Sequence, residues 1–86
     1  MIVKIFWQDK CSNCPPAKQI GKKLEERGVA VEYLDIQSID GMSEALFYKI
    51  LASPSIVITD GNGEIASWRG NVPTVEEILG AMNGRA

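Results

Sequence analysis

The sequence predicts an α/β domain with the element order βαβαββα. Three observations carry that prediction. Apolar residues change spacing along the chain, from the near-continuous runs of buried strands to the three- and four-residue intervals of helices. The tetrapeptide Asp60-Gly61-Asn62-Gly63 supplies the chemistry of a tight hairpin turn. Finally, 86 residues with a 45% hydrophobic share suffice for one core and not for two. Residues 1–86 are therefore expected to form one domain, and with no repeat, low-complexity tract or linker the Gly and Pro residues separate elements.

Residues 2–7 are β-branched and aromatic apart from Lys4, which suits a buried strand. Over 16–27, Ala17, Ile20 and Leu24 recur at helical spacing, charged side chains occupy the other faces, and Gly28 is placed to end the helix. Residues 29–36 read as a second strand through Val31, Tyr33, Leu34 and Ile36, so strand, helix and strand form a parallel crossover. The spacing of Met42, Ala45, Leu46, Ile50 and Leu51 predicts a helix over 40–51, with Asp40, Ser43 and Glu44 offering acceptors to its first turn. Residues 55–59 and 64–68 form a hairpin about the Asp-Gly-Asn-Gly turn. Pro73, Glu76 and Glu77 then open a last helix whose apolar side is Val75, Ile78, Leu79 and Met82.

Composition removes several functions. Nine basic and eleven acidic residues give a net charge of −2, a field that repels a phosphate backbone, so nucleic acid is not an expected partner. The apolar stretch at 2–7 is interrupted by Lys4 and is too short for a signal or membrane segment, which predicts a soluble cytoplasmic protein with no membrane contact. Without histidine the chain runs no Ser-His-Asp or Cys-His mechanism and builds no His-containing zinc site. Two cysteines are far from the density of a disulfide-stapled secreted scaffold. Their spacing, Cys11-Ser12-Asn13-Cys14, points instead to redox work.

A thiolate is the nucleophile in thiol chemistry, and a free thiol near pKa 8.5 is only slightly ionised at neutral pH. A helix start after the first strand would favour the anion at Cys11 through its dipole and first-turn N–H groups, with Lys10 adding a cation. Cys11 is thus the expected nucleophile and Cys14 the thiol that resolves the mixed disulfide. Pro15 and Pro16 carry no N–H and disfavour helical angles before them, so Asn13 is expected to cap a helix with an irregular first turn and few donors. Asp9 is a candidate proton acceptor for Cys14. Lys18, Lys22 and Lys23 read as a solvated face or as a docking surface for an acidic partner, and Trp7 as a strand residue.

Strand, C-x-x-C, helix, strand, helix, then a proline-introduced hairpin and a last helix resembles the thioredoxin and glutaredoxin superfamily over nearly the whole chain. Phe6-Trp7 before the motif is similar to a Phe-Trp pair of thioredoxins, as is Pro54-Ser55-Ile56-Val57-Ile58 followed by Gly63-Glu64. Trp68-Arg69-Gly70-Asn71-Val72-Pro73 resembles the W-x-G-x-x-P segment of small glutaredoxin-like redoxins that supply electrons to ribonucleotide reductase. The resemblance implies a thioredoxin-like fold with a four-stranded mixed sheet flanked by three helices, and a cis Ser53–Pro54 bond facing Cys11. It also implies that Ser53 pairs with an extended substrate chain. Lys10, Ser12, Asn13, Ser53, Pro54, Trp68 and Gly70 are the residues expected to meet substrate.

Two departures refine the expectation. Glutathione-binding glutaredoxins carry T-V-P and a Gly-Gly pair followed by an acid, whereas this chain has Ala52-Ser53-Pro54 and Gly70-Asn71, which weighs against a glutathione pocket. Thioredoxins carry a buried acid six residues before the first cysteine, and here that position is Ile5. The expected function is a monomeric, cofactor-free dithiol–disulfide oxidoreductase acting on protein disulfides and re-reduced by thioredoxin reductase. Glutathione is the alternative electron source. A different class stays open: a non-enzymatic module holding a metal or iron–sulfur cluster between two chains, although two thiolates alone fall short of zinc's four ligands.

Overall fold

The computed structural model describes residues 1–84; Arg85 and Ala86, the last two of the expected domain, lie outside the described residues. Seven elements follow in the predicted order: β1 (Ile2–Trp7), α1 (Cys14–Glu26), β2 (Val31–Asp35), α2 (Ile39–Phe47), β3 (Ser55–Asp60), β4 (Gly63–Arg69) and α3 (Val75–Asn83). The sheet order is β2-β1-β3-β4, with β1 and β2 parallel and the other pairings antiparallel. Phe6 stands opposite both Leu34 and Ser55, and Ser55 stands opposite Arg69. One end of the sheet therefore collects the close of β1, the start of β3 and the close of β4.

Strand alternation sorts the core into two layers. Val3 and Ile5 of β1 join Ile56 and Ile58 against Ala17 and Leu24 of α1 and Val75 and Ile78 of α3. Phe6 joins Leu34 and Val57 against Ala45 and Ile50 on the α2 side. Lys4, the polar break in the first strand, points to the α2 layer and is neutralised there by Glu44 and by Glu32 at 3.0 Å. Burial works against its charge, but those hydrogen bonds outweigh it and hold the ammonium above its usual range.

Several boundaries differ from expectation, each for a local reason. Helix α1 begins at Cys14 rather than near Pro16. Asn13 occupies the cap position yet makes no side-chain capping bond, because the second and third helical residues that would donate it are Pro15 and Pro16. Helix α2 is capped by Ser38, whose hydroxyl accepts from the Gly41 N–H at 3.0 Å. Of the expected acceptors, Ser43 donates instead to the Ile39 carbonyl and Glu44 is committed to Lys4.

The same helix stops at Phe47, short of the expected residue 51, because Lys49 turns left-handed at φ 57° and the Ile50 N–H reaches back to the Ala45 carbonyl at 2.7 Å. That turn buries Ile50 and leaves Leu51 94% exposed. Met42 and Leu46, expected on the inner side, face outward with Ile39 and Phe47, since α2 meets the sheet through Gly41 and Ala45. Pro73 precedes the last helix rather than starting it: Thr74 is the cap, in a reciprocal capping box with Glu77. Among the described residues no helix is long and apolar enough to cross a membrane.

Candidate active site

The chain leaves β1 at Trp7, turns through Gln8 and Asp9, takes a left-handed step at Lys10 (φ 62°) and reaches Cys11 just before α1. Cys11 and Cys14 are joined as a disulfide with Cα atoms 5.3 Å apart. The two sulfurs differ in access. Cys14, the first residue of α1, is 3% exposed, whereas Cys11 is half-buried and flanked by exposed Lys10, Ser12 and Asn13.

The helix start offers the sulfurs few donors, as Pro15 and Pro16 lead one to expect. The Cys14 N–H donates to the Cys11 carbonyl at 3.3 Å, Pro15 and Pro16 have no N–H, and the Ala17 N–H donates to the Asn13 carbonyl at 3.4 Å. Three of the four N–H groups that a helix start leaves free are therefore missing or occupied, those of Cys14, Pro15 and Pro16. A cation sits at the end of the strand that leads into the motif: the Lys18 ammonium lies 3.4 Å from the centre of the Trp7 ring. Lys18 is accordingly half-buried rather than part of a solvated face, while Lys22 and Lys23 are exposed.

Ile5 is fully buried in the α1 layer, so the position of the family's buried acid is hydrocarbon here. A side chain at neighbouring Gly21 would fall 2.7 Å from both the Ile5 Cδ1 and the Tyr33 hydroxyl, so all three share one tightly packed corner. Tyr33 donates to the Glu25 carboxylate at 2.8 Å, and burial together with that bond pushes its phenol up to about 12. Asp9, the proposed substitute acceptor, is exposed.

Residues 52–54 lead into β3 at the same end of the sheet. The Ser53–Pro54 peptide is cis and Pro54 is fully buried. Two bonds brace this loop: the Gly70 N–H donates to the Pro54 carbonyl at 2.9 Å, and the Ser55 hydroxyl donates to the Ala52 carbonyl at 2.7 Å. Gly70 carries φ 81°, a conformation glycine adopts without cost, and its Cα hydrogen faces Ala52 closely enough that an added Cβ would lie 3.5 Å from the alanine's. Trp68 packs against the α1/α3 core layer, half-buried. Beyond it, Arg69 reaches the Glu64 carboxylate at 3.2 Å and the Tyr48 carbonyl at 2.8 Å, and this guanidinium holds Glu64 below the usual carboxylate range.

The structure thus gathers Lys10, Cys11, Ser12, Asn13 and Cys14 in one loop and ties Pro54 to Gly70 in another, while Trp68 belongs to the core. The bracing hydroxyl of Ser55 and the seat of Lys18 on Trp7 are the features sequence reasoning missed. A hydroxyl at a strand start is a weak signal, and the distance from α1 to the end of β1 cannot be read along the chain. A groove of about 650 Å³ between the end of α1 and the start of α3 is lined by Ile20, Lys23, Arg27 and Thr74 and includes neither thiol. Among the described residues no group of three or more His, Cys, Asp or Glu is placed to hold a metal ion.

A bridged C-x-x-C at a strand-to-helix junction of this sheet defines a thioredoxin-like dithiol oxidoreductase. A family model described as a thioredoxin domain matches residues 1–83, and the chain belongs to that family. It is 33% identical over 61 residues to a probable thioredoxin of Archaeoglobus fulgidus, covering 70% of this chain and 67% of the relative. It is 29% identical over 86 residues to a thioredoxin of Methanocaldococcus jannaschii, covering 96% and 93% of the two chains. Thioredoxin 1 from Thermosipho africanus shares the fold with a TM-score of 0.70 at 24% identity, over 99% of this chain and 93% of its own.

Proposed function

We propose that the protein reduces protein disulfides with electrons from a flavin-dependent thioredoxin reductase. The Cys11 thiolate attacks one sulfur of the substrate bridge; a new S–S bond joins protein to substrate and the other substrate sulfur leaves as a thiolate. Cys14, deprotonated, then attacks the Cys11 sulfur, closing the intramolecular bridge and releasing the second substrate thiolate. The substrate gains two electrons and two protons, and the reductase returns the pair to dithiol. The observation that carries the assignment of roles is unequal access: Cys11 is half-buried among exposed neighbours, whereas Cys14 is 3% exposed and meets only a sulfur already delivered to Cys11.

The substrate chain would lie along Ser53, whose Pro54 neighbour is fixed by Gly70, with Lys10, Ser12 and Asn13 bordering the attacked sulfur. Trp68 would support this surface from the core. The protein acts as a monomer in this reading, and sparse cysteine use suits a reducing cytoplasm. Ala52-Ser53-Pro54 and Gly70-Asn71 favour the reductase over glutathione as electron source. A paired assay decides: with insulin as substrate, NADPH consumption is expected with thioredoxin reductase and not with glutathione plus glutathione reductase. Activity confined to the glutathione system would reverse the assignment, and metal bound at half an ion per chain without insulin reduction would replace it with the binding module.

A further inference from the structure

We infer that Lys18, seated on Trp7, is the charge that keeps Cys11 ionised; the inference rests on the reading of Cys11 as the attacking thiol. A reactive thiolate needs a positive environment. Here the usual source is reduced: of the N–H groups that a helix start leaves without an intrahelical partner, those of Pro15 and Pro16 do not exist and that of Cys14 is bonded to the Cys11 carbonyl. The helix dipole remains, with fewer first-turn N–H groups to direct at an anion than a helix start without prolines would offer.

Lys18 lies four residues after Cys14, on the same face of α1, and long helical side chains lean back toward the N-terminus. Its ammonium sits 3.4 Å from the Trp7 ring centre, and Trp7 is the last residue of β1, four before Cys11. The charge is thus held at the junction that carries the motif. Among the described residues no carboxylate forms an ion pair with it; Asp35 of β2 stands opposite Trp7, and its carboxylate accepts from the Gln37 N–H at 2.9 Å. The ring gives a half-buried ammonium a favourable seat without an opposing full charge, which a carboxylate could not do.

The titratable neighbours of Cys11 along the chain are Cys14 and the exposed pair Asp9 and Lys10, whose opposite charges sit side by side in water and are screened. The segment 51–54 and the turn 70–72 bring none. Lys18 is therefore the cation with the fixed position.

The test is the pH profile of Cys11 alkylation by iodoacetamide in the reduced full-length chain, read peptide by peptide by mass spectrometry. Lys18→Met and Lys18→Gln are expected to raise the midpoint by about half to one pH unit, the effect of removing one neighbouring charge in an interfacial dielectric. Lys18→Arg, which keeps the charge and stacks on the same ring, is expected to stay within about a quarter unit of the parent. A loss of packing alone would not distinguish arginine from methionine in this way. The inference is overturned if both neutral variants keep the parent midpoint, or if arginine shifts it as far as methionine does. Circular dichroism establishes that each variant folds, and the two neutral replacements guard against one failing. Should parent Cys11 react no faster than a free cysteine peptide at every pH, the proposed function itself falls; a reactive parent with an unmoved neutral variant removes only Lys18.

Discussion

Tyr33 shows how a single side chain registers its surroundings. Its hydroxyl lies in the corner shared with Ile5 and Gly21 and donates to Glu25, which together with burial moves its titration from 10.0 to about 12. The neutral phenol is the favoured form, so between about pH 10 and 12 the folded chain binds more protons than the unfolded one. Stability from this source is complete below the unfolded value and is lost as pH rises through the folded one. Urea midpoints measured from pH 9 to 11.5 are expected to fall less steeply in Tyr33→Phe than in the parent. Identical slopes would show that the Glu25 bond contributes nothing in solution.

Residues also mark the limit of what the chain announces. The thiol pair is legible because its chemistry is local: two sulfurs one turn apart need no knowledge of the fold. Ile5 in place of an acid is legible for the same reason, by counting back from Cys11. The seat of Lys18 is not, because 3.4 Å between an ammonium and a ring depends on where a strand end and a helix meet in space.

Among the elements, α3 is the one whose start is most fully specified. Thr74 accepts from the Glu77 N–H at 3.1 Å while the Glu77 carboxylate accepts from the Thr74 N–H at 3.0 Å. Losing such a cap costs about 1 kcal/mol. Thr74→Ala is therefore expected to lower the urea midpoint by about that free energy divided by the m-value, and Thr74→Ser to restore most of it. An unchanged midpoint in Thr74→Ala would mean that α3 draws its stability from Val75 and Ile78 packing alone.

Helix α2 shows why element type is easier to read than orientation. Apolar spacing identifies a helix correctly, yet it cannot say which stripe meets the sheet. Gly41 and Ala45 allow close approach, Gly41 standing against the Asp35 carbonyl, so the bulkier Met42 and Leu46 turn outward. Its end is equally hidden, since nothing in a lysine advertises the left-handed turn at Lys49.

At the scale of the whole molecule, the sheet order does the assembling. Pairing β1 with β3 antiparallel sets Phe6 beside Ser55, and pairing β3 with β4 sets Ser55 beside Arg69, so segments 8–14, 52–54 and 70–72 emerge at one end. The family resemblance implies a four-stranded mixed sheet, but the order β2-β1-β3-β4 is not legible in periodicity, because a pattern of buried strands is silent about neighbours. The charges distribute accordingly: Lys4 and Arg69 are each satisfied by carboxylates on the α2 side, and Lys18 is left to the thiol side.

The most direct test of the division of labour between the two sulfurs is covalent trapping. Reduced Cys14→Ser protein mixed with insulin should accumulate a disulfide-linked adduct that mass spectrometry maps to Cys11, while Cys11→Ser protein should accumulate none. An adduct mapping to Cys14 in the Cys11→Ser protein, with none formed by Cys14→Ser, would contradict the account.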